Sequence, residues 1–263
     1  MKHSTIHAKV KNSRKIAYMG SKVAAAVFWI VLWQLAAMVL GQEILLASPV
    51  SVIRKLGELV LLPEFWQSVC FSFGRIAAGF LLALFSGVLF AAASYVLSFV
   101  KILLKPLTAV MKATPVASII ILCLIWIPSK NLSVFISFLM VFPVVYANVL
   151  EGLRQTDKKL LEMAEVFNVG VGKKICYIYL SELLPYLLTA CSLGLGLCWK
   201  AGVAAEVIGV PKGSVGEKLY NAKIYLNTPD LFAWTVVIIL ISVLLEKCVI
   251  ALLKYFVHLM EQR

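Results

Sequence analysis

The residues able to make or break bonds are few in this chain, and they are scattered. Its three histidines stand at positions 3, 7 and 258, all in terminal segments. Six cysteines (Cys70, Cys123, Cys176, Cys191, Cys198, Cys248) form no Cys-x-x-Cys pair. Most lie in or beside apolar runs, where a free cysteine behaves as a small hydrophobe. Neither a metal site nor a disulfide framework is expected, and no catalytic cluster of His, Asp or Glu beside a nucleophile is visible. The Gly-Lys in "VGVGKK" at 169–174 is no phosphate loop. Such a loop needs Gly five residues before its final Gly and Ser or Thr after the Lys, and Phe167 and Lys174 occupy those positions. No nucleotide or other cofactor is expected on this chain, and it is not expected to be an enzyme.

Ionisable groups stand out instead inside an apolar run. Lys200 and Glu206 interrupt residues 183–207. Such a group at membrane depth is a functional candidate because its burial costs about 2.5–3.5 kcal/mol or more. Six residues of regular helix leave the two about 120° apart, so they are not expected to pair directly unless Gly202 breaks the regularity. Lys200 either lines a solute path, where it would favour an anion, or makes a structural contact with another span or a partner subunit.

A second polar feature is longer. "EMAEVFNVGVGKKICYIYLSELLP", residues 162–185, holds three glutamates and two lysines between apolar runs. Residues 158–167 carry helix formers, with Leu160, Leu161, Ala164 and Phe167 as an apolar stripe on a charged surface. Asn168, Gly170 and Gly172 tolerate positive φ and end a helix. A second amphipathic run then leads from Lys173 to Pro185. The pattern is an exposed helix–turn–helix whose stripe needs a partner, most naturally a soluble protein.

The elements that position these residues are membrane spans. The chain of 263 residues is 62% hydrophobic and 14% charged, against about 45–50% and about 25% in soluble domains. Too few polar side chains exist to coat a globule. A bilayer core of about 30 Å needs about 20 helical residues, and six candidates emerge: 23–40, 76–97, 110–127, 132–150, 183–207 and 231–252. Six spans put both termini on one side. Seventeen Lys and Arg then fall with the termini and the 98–112 and 151–182 loops, and seven fall on the other side. The positive-inside rule makes the former side cytoplasmic, so the net charge of +12 is a topology signal and implies no nucleic-acid partner. Ser48-Pro49 resembles a helix start, and Val52, Leu56, Leu59 and Val60 follow at helical spacing, so a short amphipathic helix is expected on the outer surface. The expected organisation is a basic cytoplasmic tail (1–22), a first span with that outer segment (23–66), the main body (67–252, with the polar loop at 151–182) and a cytoplasmic tail (253–263).

The polar loop resembles the "EAA" signature of permease subunits in ATP-binding-cassette importers. Glu162 and Ala164 match it, Met163 replaces its middle Ala and Asn168 stands at its Gly. Ile178 and Leu180 fall on expected positions, Ser181 replaces a Pro, and Pro185 matches a second proline of the nitrate/sulfonate/taurine branch. "SPVSVIRKLGEL", "SVCFSFGRIAAGFLLALFSGVLFAA", "GVAAEVIG" and "GSVGEKLYNAKIYLNTPDLFAWT" resemble other family segments, so the likeness runs from about Leu46 to the C-terminus.

The resemblance implies an all-α, polytopic, type I importer fold in the cell membrane. It also implies two permease subunits (a homodimer by preference), two separate ATPase subunits and an extracytoplasmic binding protein. The helix carrying Glu162, Met163, Ala164, Glu165 and Phe167 would sit in a cleft of the ATPase. Met163, Ala164 and Phe167 would pack there, Glu162 and Glu165 would meet basic residues or stay solvated, and Asn168 with Gly170 would set the bend. Lys200 and Glu206 are the candidates for the translocation pathway. The branch handles small, often anionic solutes, with vitamin precursors among the cargo of some relatives. An ion-coupled secondary transporter is the alternative, although that class gives no reason for the cytoplasmic amphipathic loop.

Overall fold

The computed structural model describes residues 2–261, and these contain helices and turns but no strand. In order they are α1 (Lys2–Leu40), α2 (Pro49–Val60), α3 (Pro63–Val96), α4 (Ser98–Ala113), α5 (Val116–Cys123), α6 (Ser129–Gln155), α7 (Lys158–Val166), α8 (Val171–Lys174), α9 (Leu180–Gly209), α10 (Val215–Ile224) and α11 (Thr228–Glu261). Among the described residues, five helical stretches are long and apolar enough to cross a bilayer: Gly20–Leu40, Pro63–Val96, Ser129–Gln155, Val171–Gly209 and Thr228–Leu252.

The sixth span differs from its sequence-based form. In place of one helix over 110–127 preceded by a loop, α4 and α5 form a broken pair bent by 104°. Thr114 is extended (φ −77°, ψ 131°) and its N–H closes α4 on the Val110 carbonyl at 3.0 Å. Pro115 then lacks the N–H that would continue the helix, and its ring holds the preceding residue out of helical conformation. The three lysines assigned to a 98–112 loop therefore ride on a helix.

The chain divides into two compact units. The first comprises residues 1–61 and 222–234. Within it, Ser48 caps α2 by accepting the Ser51 N–H at 3.1 Å, and Pro49 opens the first turn as the sequence suggests. The Trp33 indole donates to the Ala47 carbonyl at 3.1 Å and its ring lies 5.6 Å from Phe232. Thr228 donates to the Ile44 carbonyl at 2.7 Å, and Lys55 pairs with Asp230 at 3.5 Å.

The second unit, residues 62–221 and 235–263, is built on α3, α6 and α9. Small residues set its register, because a helix axis can come close only where no side chain intervenes. A Cβ at Gly87 would stand 2.8 Å from Val145, and one at Gly79 would strike the Val134 carbonyl. Tyr146 donates to Ser94 at 3.0 Å. These pairs rise together in number, so α3 and α6 are parallel. Along α9 the order reverses: Gly152 of α6 abuts Leu183 and Tyr186, Gly194 meets Val141, Gly202 meets Ser137 and Gly209 meets Leu132. α9 is therefore antiparallel to both. Ile76, Val141, Val145 and Val149 are completely buried between the three helices. The Trp199 indole ties α9 to α11 by donating to the Ile238 carbonyl at 2.9 Å.

Candidate functional site

The polar loop is the helix–turn–helix that its sequence suggests, attached where α6 ends and α9 begins. Asp157 opens α7 by accepting the Lys159 N–H at 2.9 Å, an anion at a helix N-terminus where the free amides favour it. At the other end Phe167 donates its N–H to the Met163 carbonyl (3.1 Å) and Val169 donates to the Ala164 carbonyl (2.9 Å). Asn168 lies between them at φ +50°, the left-handed conformation that lets the chain fold back over its last carbonyls. Gly170 then caps the single turn of α8. Residues 175–179 widen into a π-turn before α9. Tyr179 within it meets Tyr95 at the end of α3, ring centroids 6.1 Å apart.

The apolar residues of α7 divide between two sides, and here the sequence-based stripe needs correction. Ala164 is 2% exposed, turned into the chain, and Leu161 is half-buried on the same side. Met163 (51%), Val166 (78%) and Phe167 (73%) are exposed. The outward patch is therefore Met163, Val166 and Phe167, with Leu160 at its edge. Val166 escapes the sequence reading because it stands off the stripe that Leu160, Leu161, Ala164 and Phe167 define at helical spacing. Ala164, expected among the docking contacts, already has its packing within the subunit. Glu162 and Glu165 are both exposed and flank the patch.

Lys200 and Glu206 are not brought together. Lys200 is exposed on α9 and has no salt bridge with Glu206. Glu206 is completely buried one turn before the end of α9. Ser72 of α3 donates its hydroxyl to Glu206 Oε2 at 2.6 Å, and the Gly216 N–H lies 3.4 Å from the same oxygen. Ser72 in turn accepts the Val215 N–H at 2.9 Å. The carboxylate and the serine thus close the N-terminus of α10 and join three helices in one clasp. Only glycine fits at 216, since a Cβ there would strike the Cβ and backbone of Glu206. Val210, at φ +47°, turns the chain between α9 and α10 with its N–H on the Glu206 carbonyl at 2.8 Å. Glu206 is therefore inside the subunit, with its Oε2 held in this clasp and its Oε1 buried without a hydrogen-bond partner among the described residues. Ser72 carries no sequence signal that would pair it with a residue 134 positions away.

No group of three metal-binding side chains occurs among the described residues. The sequence model of the family described as "binding-protein-dependent transport system inner membrane component" matches residues 79–262. The chain is similar to a Bacillus subtilis permease named for aliphatic sulfonates transport, SsuC, with 26% identity over 97% of this chain and 90% of the relative. It is similar to the taurine transport system permease protein TauC of Escherichia coli, at 28% identity over 84% and 82%. A third relative is the nitrate import permease protein NrtB of Synechococcus elongatus, at 24% identity over 82% and 80%.

Proposed function

This chain belongs to the family of binding-protein-dependent transport system inner membrane components and is a multi-pass permease subunit of an ATP-binding-cassette importer; from that premise we propose how its surfaces divide the work. α7 is the docking element for a separate ATPase subunit. Two copies of the permease pair around the translocation path, with two ATPases below and a binding protein delivering solute from outside. The solute is small and carries an anionic group, the chemistry that the named solutes of the sulfonate, taurine and nitrate relatives share, and Lys200 faces the path it takes.

The outward patch of Met163, Val166 and Phe167 carries this reading. Three large apolar side chains exposed on a single short helix beyond the spans have no lipid to meet. Burying each of them in a partner cleft is worth about 1.5–3 kcal/mol. The patch is also mechanically placed: α7 leads through the π-turn directly into α9, so a displacement at the patch is delivered to a span. Closure of paired ATPases would then move the bundles as rigid bodies and expose one path to alternate sides.

Co-purification of the ATPase with the permease, followed by solute-stimulated ATP hydrolysis in proteoliposomes, tests the assignment. Replacement of Met163, Val166 and Phe167 by serine is expected to abolish both and to leave the permease folded. Retention of the ATPase by that triple variant would refute α7 as the docking element.

A further inference from the structure

α4 carries Lys101, Lys105 and Lys112, all exposed, and none belongs to a salt bridge among the described residues. At 100° per residue they point within about 40° of one another, a single narrow stripe. Leu104 and Thr108, buried in the bundle, lie to one side of it. Phe99, Ile102, Leu103 and Val110, all more than 60% exposed, lie to the other, about 60–200° round the helix. The lysine stripe thus runs between the face packed on protein and an exposed apolar face.

Its depth follows from the bundle. α3 finishes at Val96, at the end where α6 also finishes, whereas Ile120 of α5 is buried with Leu132 and Ile136 near the start of α6. Between these points the chain must cover about 20 residues of α6, or about 30 Å. From Val116 to Ile120 it covers at most about 6 Å, and the extended link at 114–115 adds about 7–10 Å. α4, about 24 Å long, cannot lie flat across the end of the bundle; it descends along it for half its length or more. Lys112 lies about 16 Å farther along the helix than Lys101. With that descent Lys112 lies about 10 Å deeper than Lys101, and a lysine stem of about 6 Å makes up only part of the difference, whereas Lys101 can snorkel.

We propose that Lys101, Lys105 and Lys112 form a cationic ladder lining the aqueous translocation path, from its mouth at the α7 end inward, with small anions as the ligand class. The ladder rests on the anionic-solute reading given above. Spacings of four and seven residues set the rungs about 6 and 10 Å apart, so Lys101 and Lys105 can share one anion between them, while Lys112 offers a separate site farther in. Each rung holds weakly and the next attracts, which favours passage over trapping. Fixed positive charge in a low-dielectric cleft also raises the local anion concentration.

The test uses the full-length permease with its ATPase in nanodiscs of phosphatidylethanolamine and phosphatidylglycerol, with native cysteines replaced. Single cysteines at positions 101, 105 and 112, and at 99, 103 and 110, are titrated with an anionic sulfonate methanethiosulfonate and its cationic trimethylammonium counterpart. All three stripe positions are expected to react, at least about tenfold faster than the apolar ones. The anionic-to-cationic rate ratio at position 112 is expected to exceed that of Lys158→Cys on α7 by about tenfold. An unreactive cysteine at position 112, where the one at position 101 reacts, overturns the ladder and leaves the anionic-solute reading standing. Reaction at 112 without charge preference overturns the ladder's electrostatic role and the anionic-solute reading together. Equal bilayer depth of fluorophores at 101 and 112, measured by lipid-borne quenchers, overturns it in favour of a surface helix on anionic headgroups. Lys112→Arg, which keeps the charge, is expected to retain transport where Lys112→Gln loses it; equal transport by both would also overturn the ladder.

Discussion

Aspartate placed at position 166 or at position 164 puts the same charge two residues apart on one short helix, and the two should fail in different ways. Val166 is 78% exposed in the subunit, Ala164 2%. In Val166→Asp the free permease loses almost nothing: the carboxylate is hydrated, and its position near the C-terminus of α7 costs about 0.3–1 kcal/mol through the helix dipole. In the complex the variant forfeits the valine's burial, about 1.5 kcal/mol, and leaves an unpaired charge in a protein interface, about 3–5 kcal/mol by analogy with broken buried pairs. A loss of about 4.5–6.5 kcal/mol per site is a factor of about 10³ or more in affinity, so the ATPase should dissociate during purification. Ala164→Asp buries the charge in the permease itself and should lower its own melting temperature in detergent whether or not ATPase is present. Size-exclusion co-elution and a thermal melt of the isolated permease separate the two. If Val166→Asp keeps the ATPase and transports like the parent, or if Ala164→Asp melts with the parent, the division of α7 into outer and inner sides is wrong.

Asn168→Gly should be tolerated, because glycine takes φ +50° without strain, whereas Asn168→Val should cost about 1–2 kcal/mol in the loop and lower solute-stimulated hydrolysis in proteoliposomes. Lys200→Met should leave expression and ATPase binding intact while reducing uptake of the anionic solute; unchanged uptake would return Lys200 to a structural role. Gly216→Val should destabilise the isolated permease by about 1–3 kcal/mol or more through overpacking, read as a fall in melting temperature, since the Glu206 backbone has nowhere to move. A cysteine at position 158 should resist an impermeant thiol reagent added to intact cells, and its labelling from outside would reverse the topology.

Fold class and the long spans were legible because each depends on local information: length, apolar run, charge at the ends. The α2 cap was equally plain, as Ser48-Pro49 states it in two residues. The third span was not, although Pro115 stood in view. Proline near the start of an apolar run is compatible with a helix that begins there, and only the contacts of Leu104 and Ile120 show that the chain uses it as a corner. The two sides of α7 are not legible for a related reason. Periodicity reports which residues share a face but not which face the subunit claims, and Ala164 and Phe167, three positions apart, ended on opposite sides of that choice. The isolated glutamate at 206 reads as a pathway candidate because burial cost alone is visible. Its hydrogen bonds at Oε2, from Ser72 and the Gly216 amide, come from a remote residue and from backbone, and neither kind leaves a mark in sequence.

How a push at α7 reaches the path follows from where the bundle is stiff and where it is not. The α3–α6–α9 contacts at Gly79, Gly87 and Gly202 leave no room even for a methyl group, and interiors packed that tightly shift as blocks. The clasp of Glu206, Ser72 and the α10 amides pins the far end of α9. The pliable places lie elsewhere: the π-turn at 175–179, with its irregular hydrogen bonding, and the corner at Thr114–Pro115, where no helical bond continues. If α7 docks the ATPase as proposed, force entering at Met163, Val166 and Phe167 would rotate the three-helix block as a unit, with these two joints as the places to absorb it. The corner joins α4, with its lysine stripe, to α5, whose Ile120 packs on Ala201 and Ala205 of α9 beside Lys200. A rotation that flexes the corner would change the spacing between the two sets of cations. Anion affinity along the path would then depend on ATPase closure without any part of the bundle deforming.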